Sequence, residues 1–174
     1  MADLPPIEVT NLDGYGSPAL DWDRPRGWLA NDAAGPDLPF FLNTIHPDGR
    51  PHSAGIGARW LAGDLCFVSG PQTRKTRNLL ANPACTVTVR LADIDLVMEG
   101  TAVRVTDPAT LADGVRLYHE VGWPAEVSGD AVTAPYSAPS AGPPPWHLYL
   151  FTFHTAFGVA TADPPGATRW RFAR

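Results

Sequence analysis

The chain has 174 residues, with 13 Lys and Arg against 18 Asp and Glu, for a formal net charge of −5. Hydrophobic residues make up 44% and charged residues 18%, which excludes a wholly disordered chain and a charge-rich coiled coil. No apolar run approaches the roughly 20 residues that span a bilayer, and an acidic chain is a poor partner for nucleic acid, so any anion site has to be local.

The first dozen residues read as an irregular arm, without the basic-then-apolar pattern of a secretory leader in Met1 to Pro6. Ser17 to Ala30 reads as a short helix, with Ser17 as N-cap and Pro18 at the first helical position. Asn31 to Pro39 is turn-rich. Phe40 to Ile45 is an apolar strand, and Pro47-Asp48-Gly49-Arg50 is a turn. Pro51 to Leu61 is a second extended segment, Ala62-Gly63-Asp64 a turn, and Leu65 to Ser69 a third strand, so this part is a β-meander. Arg74 to Ala81 is predicted as a helix capped by Thr73 and stopped by Asn82-Pro83. Ala84 to Leu91 alternates Cys85, Val87 and Val89 against Thr86, Thr88 and Arg90, the period of a half-buried strand. Ile94 to Thr106 is a longer strand in which Gly100 marks a bulge or a close approach. Asp107-Pro108 opens a helix that runs to about Glu120. Gly122 to Pro145 is a Pro-, Ser- and Ala-rich loop or lid. Trp146 to Thr161 is extended and aromatic, and Thr168 to Phe172 is a last short strand.

Strands joined by short turns, with helices inserted but not alternating, make a mainly β barrel-like fold and not a doubly wound sheet. One domain is expected: an arm and short helix over 1–37, then the barrel over 38–174. Cys66 and Cys85 are too few for a disulfide framework and read as buried, reduced thiols of a cytoplasmic protein.

The stretch from Phe67 to Leu80 carries the chemistry. Arg74, Lys75 and Arg77 fall in the first turn of a helix, the end where the macrodipole disfavours cations. Lys75 is the only lysine in the chain. The same turn offers free backbone N–H groups, and Ser69 and Thr73 add hydroxyls. Together they form an anion trap suited to a phosphate ester. A solvated basic helix face is the competing reading.

The ordered set Pro47-Asp48-Gly49-Arg50-Pro51-His52, Phe67-x-Ser69-x-x-x-Thr73-Arg74-Lys75-x-x-Asn78-Leu79, Asn82-Pro83 and Glu99-Gly100 resembles the pyridoxamine 5′-phosphate oxidase-like superfamily of flavin and deazaflavin oxidoreductases. The match is good over about 38–106 and looser elsewhere. The resemblance implies a homodimeric split β-barrel of about six or seven antiparallel strands, Greek-key-like, with two or three helices. It implies a cofactor at the subunit interface, with its phosphate on Ser69, Thr73, Arg74 and Lys75 and with Asn78 nearby. The strand His52, Ser53, Ala54, Gly55 and Ile56 would lie along the isoalloxazine ring, where Gly55 and Gly57 let a planar ring approach the backbone or else mark a bulge. The chain departs from true pyridoxamine phosphate oxidases in two places. It ends Thr168-Arg169-Trp170-Arg171-Phe172-Ala173-Arg174 without their Arg-rich signature, and it has Ser53 where FMN-using members often carry Arg. Both departures favour the branch using coenzyme F420, with FMN as the other candidate. The implied activity is hydride transfer between that cofactor and a small organic substrate, with no membrane partner. The alternative is a non-catalytic flavin, deazaflavin or tetrapyrrole binder of the same shape, with His52 or His147 as the axial ligand.

Other constellations weigh less. His46 and His52 flank one hairpin, but a metal site needs a third ligand. Gly55-Ile56-Gly57-Ala58-Arg59-Trp60 lacks a third glycine and the strand-to-helix context of a dinucleotide fingerprint. Ser128, Ser137 and Ser140 have no nucleophile-elbow frame. Trp146, Tyr149, Phe151, Phe153 and Phe157 read as barrel core and dimer interface ahead of a groove lining. No residue is assigned as a catalytic acid or base, because the chemistry belongs to the cofactor.

Overall fold

Alternation at period two dictates most of the molecule, which a computed structural model describes over residues 5–31, 39–137 and 141–174. The expected domain boundary at 37/38 lies outside the described residues, as do Met1 to Leu4 and Ser140. Strand β1 (Glu8–Asn11) is followed by helix α1 (Asp23–Ala30). Strand β2 (Phe40–Ile45) buries Phe40, Leu42 and Thr44 and turns Phe41 and Ile45 outward. Gly49 takes φ +86°, the left-handed region that a side chain penalises, and closes the hairpin to β3 (Pro51–Ile56). Strand β4 (Arg59–Leu61) pairs with β5 (Asp64–Ser69), then come α2 (Arg74–Ala81), β6 (Ala84–Arg90) and β7 (Ile94–Arg104). Helix α3 (Pro108–Glu120) is followed by the small hairpin β8 (Glu126–Ser128) and β9 (Ala131–Thr133), then β10 (His147–Ala160) and β11 (Ala167–Arg171).

The main sheet runs β1-β11-β10-β7-β6-β2-β3, all antiparallel, with β5 and β4 branching from β10. No pairing among the described residues closes this path, so β3 is an edge strand. The fork on β10 gives the fold its split. One side of β10 pairs with β7 along nearly its whole length, while the other side pairs with β5 up to Phe151 and with β11 from Thr155. The register shift at His154 sits between those partners. It also switches which residues point inward, from Tyr149, Phe151 and Phe153 to Ala156 and Gly158. The odd spacing of His147 and His154 therefore does not assign them to opposite faces. The inward set packs with Leu42, Phe67, Val87, Met98 and Trp170 in the main core. The outward set, Leu148 with Cys66, is covered by Leu111, Val115 and Tyr118 of α3.

Four expectations are corrected by the structure. The first helix starts at Asp23, not near Ser17: the Asp13 carboxylate accepts from Ser17 N–H at 2.7 Å, and Leu20 N–H donates to the Thr168 hydroxyl at 2.7 Å, which holds this stretch in a loop against β11. The arm is partly β1, paired with β11 some 160 residues later. The segment 51–61 is two strands, because the chain leaves β2 at Gly57-Ala58 and crosses to β5. Among the described residues the strand count rises to eleven, nine of them in the main sheet, because β1, β4, β8 and β9 have only three or four residues each and show no periodicity.

Helix α1 is tied to the β6–β7 turn through Asp93. Its carboxylate accepts from Arg24 Nε at 2.8 Å and from Trp28 Nε1 at 2.9 Å. Asp93→Ala should lower unfolding stability by about 2 kcal/mol, because a charge-assisted bond is lost and a largely buried guanidinium loses its counter-charge. A urea denaturation midpoint reads this directly. Both cysteines are free and buried, and burial pushes the Cys85 thiol up to about 12.

Candidate functional site

Helix α2 follows β5 after a tight turn in which Thr73 N–H donates to Gly70 C=O at 3.1 Å. Thr73 caps the helix, its Oγ1 accepting from Thr76 N–H at 3.4 Å. The Thr76 hydroxyl donates to Gly70 C=O at 2.9 Å and also meets Ser69 Oγ at 2.9 Å, while Ser69 Oγ lies 2.9 Å from Thr73 Oγ1. Ser69 and Thr76 are fully buried. The first i→i−4 helical bond runs from Arg77 N–H to Thr73 C=O, leaving the N–H groups of Arg74 and Lys75 ahead of the ladder. The anion trap expected from the sequence is thus a knot of hydroxyls under the positive end of a helix.

The cations of this turn differ in setting. Arg74 and Arg77 are exposed, whereas Lys75 is only 8% exposed. Lys75 has no carboxylate partner among the described residues, and burial alone pulls its pKa down from 10.5. Asn78, fully buried, donates from Nδ2 to Thr44 Oγ1 at 3.0 Å and leaves Oδ1 without a partner. Thr44 Oγ1 in turn lies 3.4 Å from His52 Nδ1. Burial lowers the His52 pKa first, and His46, Lys75 and Arg74 lower it further. The His46 and His52 rings meet edge-to-face at 5.6 Å, and among the described residues no third metal-ligating side chain joins them.

Strand β3 does not present its predicted residues on one face. His52, Ala54 and Ile56 share the inward face of β2, while Ser53 and Gly55 point outward. What they share is the strand's unpaired backbone edge. A Cβ built on Gly55 or Gly57 would meet nothing within 4 Å, and neither residue has a positive φ. Nothing among the described residues therefore requires glycine there, and the bulge reading has no support.

A cavity of about 300 Å³ opens beside this edge, reaching from Gly55 and Gly57 past Lys75 to Arg59, Trp123 and Trp146. A larger one of about 670 Å³ lies under the N-terminal arm against Trp22 and Trp170, away from the helix α2 cations. Tyr118 donates to Gly57 C=O at 2.7 Å and packs against Trp123 at 4.9 Å, which in turn meets Trp146 at 5.6 Å. Sequence reasoning missed Thr44, Thr76, Arg59 and Tyr118. Thr76 was legible, being three residues from the cap, but the other three come together only through the sheet.

The family model for pyridoxamine 5′-phosphate oxidase matches residues 37–142. The chain belongs to that family. No curated protein matches the sequence. Among solved structures of the family's shape, an F420 reductase is 23% identical, with TM-score 0.52, covering 75% of this chain and 94% of its own. A pyridoxamine 5′-phosphate oxidase-related, FMN-binding protein from Nostoc punctiforme is 16% identical, with TM-score 0.59 and coverage of 89% and 92%. A heme-binding protein from Mycobacterium smegmatis is 14% identical, with TM-score 0.53 and coverage of 78% and 53%. At these identities the likeness concerns the fold. Within the family fold, the hydroxyl knot and Lys75 stand at the start of the helix after β5, and the open edge of β3 runs alongside.

Proposed function

We propose that this protein binds a phosphate-bearing flavin-type cofactor, coenzyme F420 ahead of FMN, and uses it as an oxidoreductase on a small organic substrate. One observation carries the reading: the only lysine is buried beside a hydroxyl knot at the positive end of a helix, and no carboxylate of the described residues neutralises it. A buried unpaired ammonium is costly and a bound phosphate removes the cost. Ser69, Thr73, Arg74 and Lys75 would hold the phosphate, and the N–H groups at the start of α2 would add donors. The backbone of His52 to Ile56 would lie along the ring, with room left by Gly55 and Gly57.

When bound, the cofactor supplies the hydride chemistry. The chain's own groups position it, and Tyr118, Trp123 and Trp146 give the cavity an aromatic wall. A homodimer belongs to this proposal. The unpaired edge of β3 and the exposed apolar row of Phe41, at 45% exposure, and Val97, at 37%, one strand further on each side of Thr88, suit a second copy.

Titration with FMN and with F420, followed by the cofactor's own absorbance and fluorescence, should give saturable binding of at least one. Gly55→Val should leave the melting temperature within a degree or two, since its side chain enters open space, yet weaken cofactor binding at least ten-fold. No binding of either cofactor removes the proposal. A second reading, a tetrapyrrole carrier without turnover, has one observation behind it: His147 Nδ1 is buried without a partner, and burial lowers the pKa of the ring, the state in which imidazole ligates iron. A Soret band on haem titration that disappears in His147→Ala would favour it.

A further inference from the structure

The cavity beside β3 has two cationic poles, and the proposed function uses only one. Arg59 is 8% exposed, as buried as Lys75. Its Nε is sealed from solvent with no hydrogen-bond partner, and the guanidinium forms no ion pair among the described residues. The eleven other arginines of this chain are exposed or half-buried. Arg59 instead projects from β4 into the cavity wall together with Tyr118, Trp123 and Trp146. Lys75 reaches the cavity wall from helix α2 and Arg59 reaches it from β4, so the two charges come from different elements.

We propose that Arg59 binds the carboxylate or phosphate of a flat organic substrate, whose apolar body lies against Trp123 and Trp146 in the 300 Å³ cavity. The planar fork of a guanidinium matches an oxyanion through two parallel hydrogen bonds, and a desolvated setting strengthens them. The aromatic walls of Trp123 and Trp146 select flat ligands. This assignment names the substrate class for the activity proposed above and rests on that reading for its place beside a cofactor.

The test compares three probes of one shape, 2-naphthoate, 2-naphthyl phosphate and neutral 2-naphthamide, by calorimetric titration of the full-length protein. At least one oxyanion should bind ten-fold or more tightly than the amide, and the tighter of the two names the anion. In Arg59→Gln that preference should vanish, while Arg59→Lys, which keeps the charge but not the fork, should retain part of it. Equal binding of all three probes by the unaltered protein overturns the proposal, and so does an undiminished preference in Arg59→Gln. The unaltered protein supplies the first comparison, so the test survives a variant that fails to fold. Titrating FMN and F420 into Arg59→Gln separates the two proposals. Cofactor affinity should stay within three-fold of the parent, because the proposed phosphate contacts do not include Arg59, and a protein that binds neither cofactor but still prefers the oxyanion loses the cofactor reading alone.

Discussion

Gly100→Ala should cost at least about 3 kcal/mol of stability, the largest loss expected from a single methyl group anywhere in the sheet. Gly100 faces Phe153 in the β7–β10 ladder, immediately before the register shift at His154. A Cβ there would run into the Thr152 carbonyl oxygen and stand 2.6 Å from Phe153 Cα. These are backbone atoms of the longest strand, held by β7 on one side and flanked by the β5 and β11 pairings on the other, and they cannot swing away as a side chain would. The bulge has to be undone or the strand displaced, and either change disturbs Phe151 and Phe153 in the core. Gly114→Ala supplies the contrast. Its Cβ would crowd only the Leu148 side chain, at 2.6 Å, which can take another rotamer, and alanine favours the helix. Thermal denaturation of the two variants should separate them by several degrees per kcal/mol. Equal melting temperatures would mean that the close approach at Gly100 is not rigid.

The elements with local causes were legible in the sequence. Thr73 and Asp107 announce helix starts because a short polar side chain satisfies a free N–H, and Asn82-Pro83 ends the first of those helices because the residue before proline is barred from helical geometry. The alternation of Cys85, Val87 and Val89 shows which face of β6 is inside. What escaped depends on partners distant in the chain. Ser17-Pro18 carries a valid helix-start signal, yet Asp13 and Thr168 capture the backbone groups that a helix would need. The bulge at His154 is invisible in Phe153-His154-Thr155, since it arises where β10 exchanges β5 for β11. At the site, the charge pattern showed three cations in one turn. It did not show that Lys75 points into the cavity while Arg74 and Arg77 meet water. Nor did it show Arg59, whose burial follows from β4 lying under α3.

That difference in setting yields an ordered pair of effects on cofactor binding. Lys75→Ala should weaken binding of the phosphate-bearing cofactor about 100-fold, since a desolvated charge-assisted bond is worth about 1.5–3 kcal/mol. Arg74→Ala, at an exposed position, should weaken it by about five-fold, in keeping with the 1 kcal/mol or less of a screened ion pair. The double variant should lose several kcal/mol, and an unchanged affinity there would place the phosphate elsewhere. Stability of the cofactor-free protein should move the other way. Lys75→Met removes a buried unpaired charge and keeps the apolar stem, so it should raise stability by about 1–2 kcal/mol. The pH dependence follows from the direction of the shift. Burial lowers the folded-state pKa below 10.5, so the unfolded chain holds the proton more tightly. The penalty is complete below the folded-state pKa, shrinks as pH rises through the window up to 10.5, and is gone above it. Cofactor-free stability should therefore climb with pH across that window, and Lys75→Met should flatten the climb. Because the chain has no other lysine, reductive methylation with ¹³C labels only this side chain and the N-terminal amine, whose lower pKa sets it apart. The label's titration should fall below the ordinary lysine range in the free protein and return upward when the phosphate binds. A label that titrates normally, and does not respond to cofactor, would show an ammonium in water and would remove the physical reason for placing an anion at this helix.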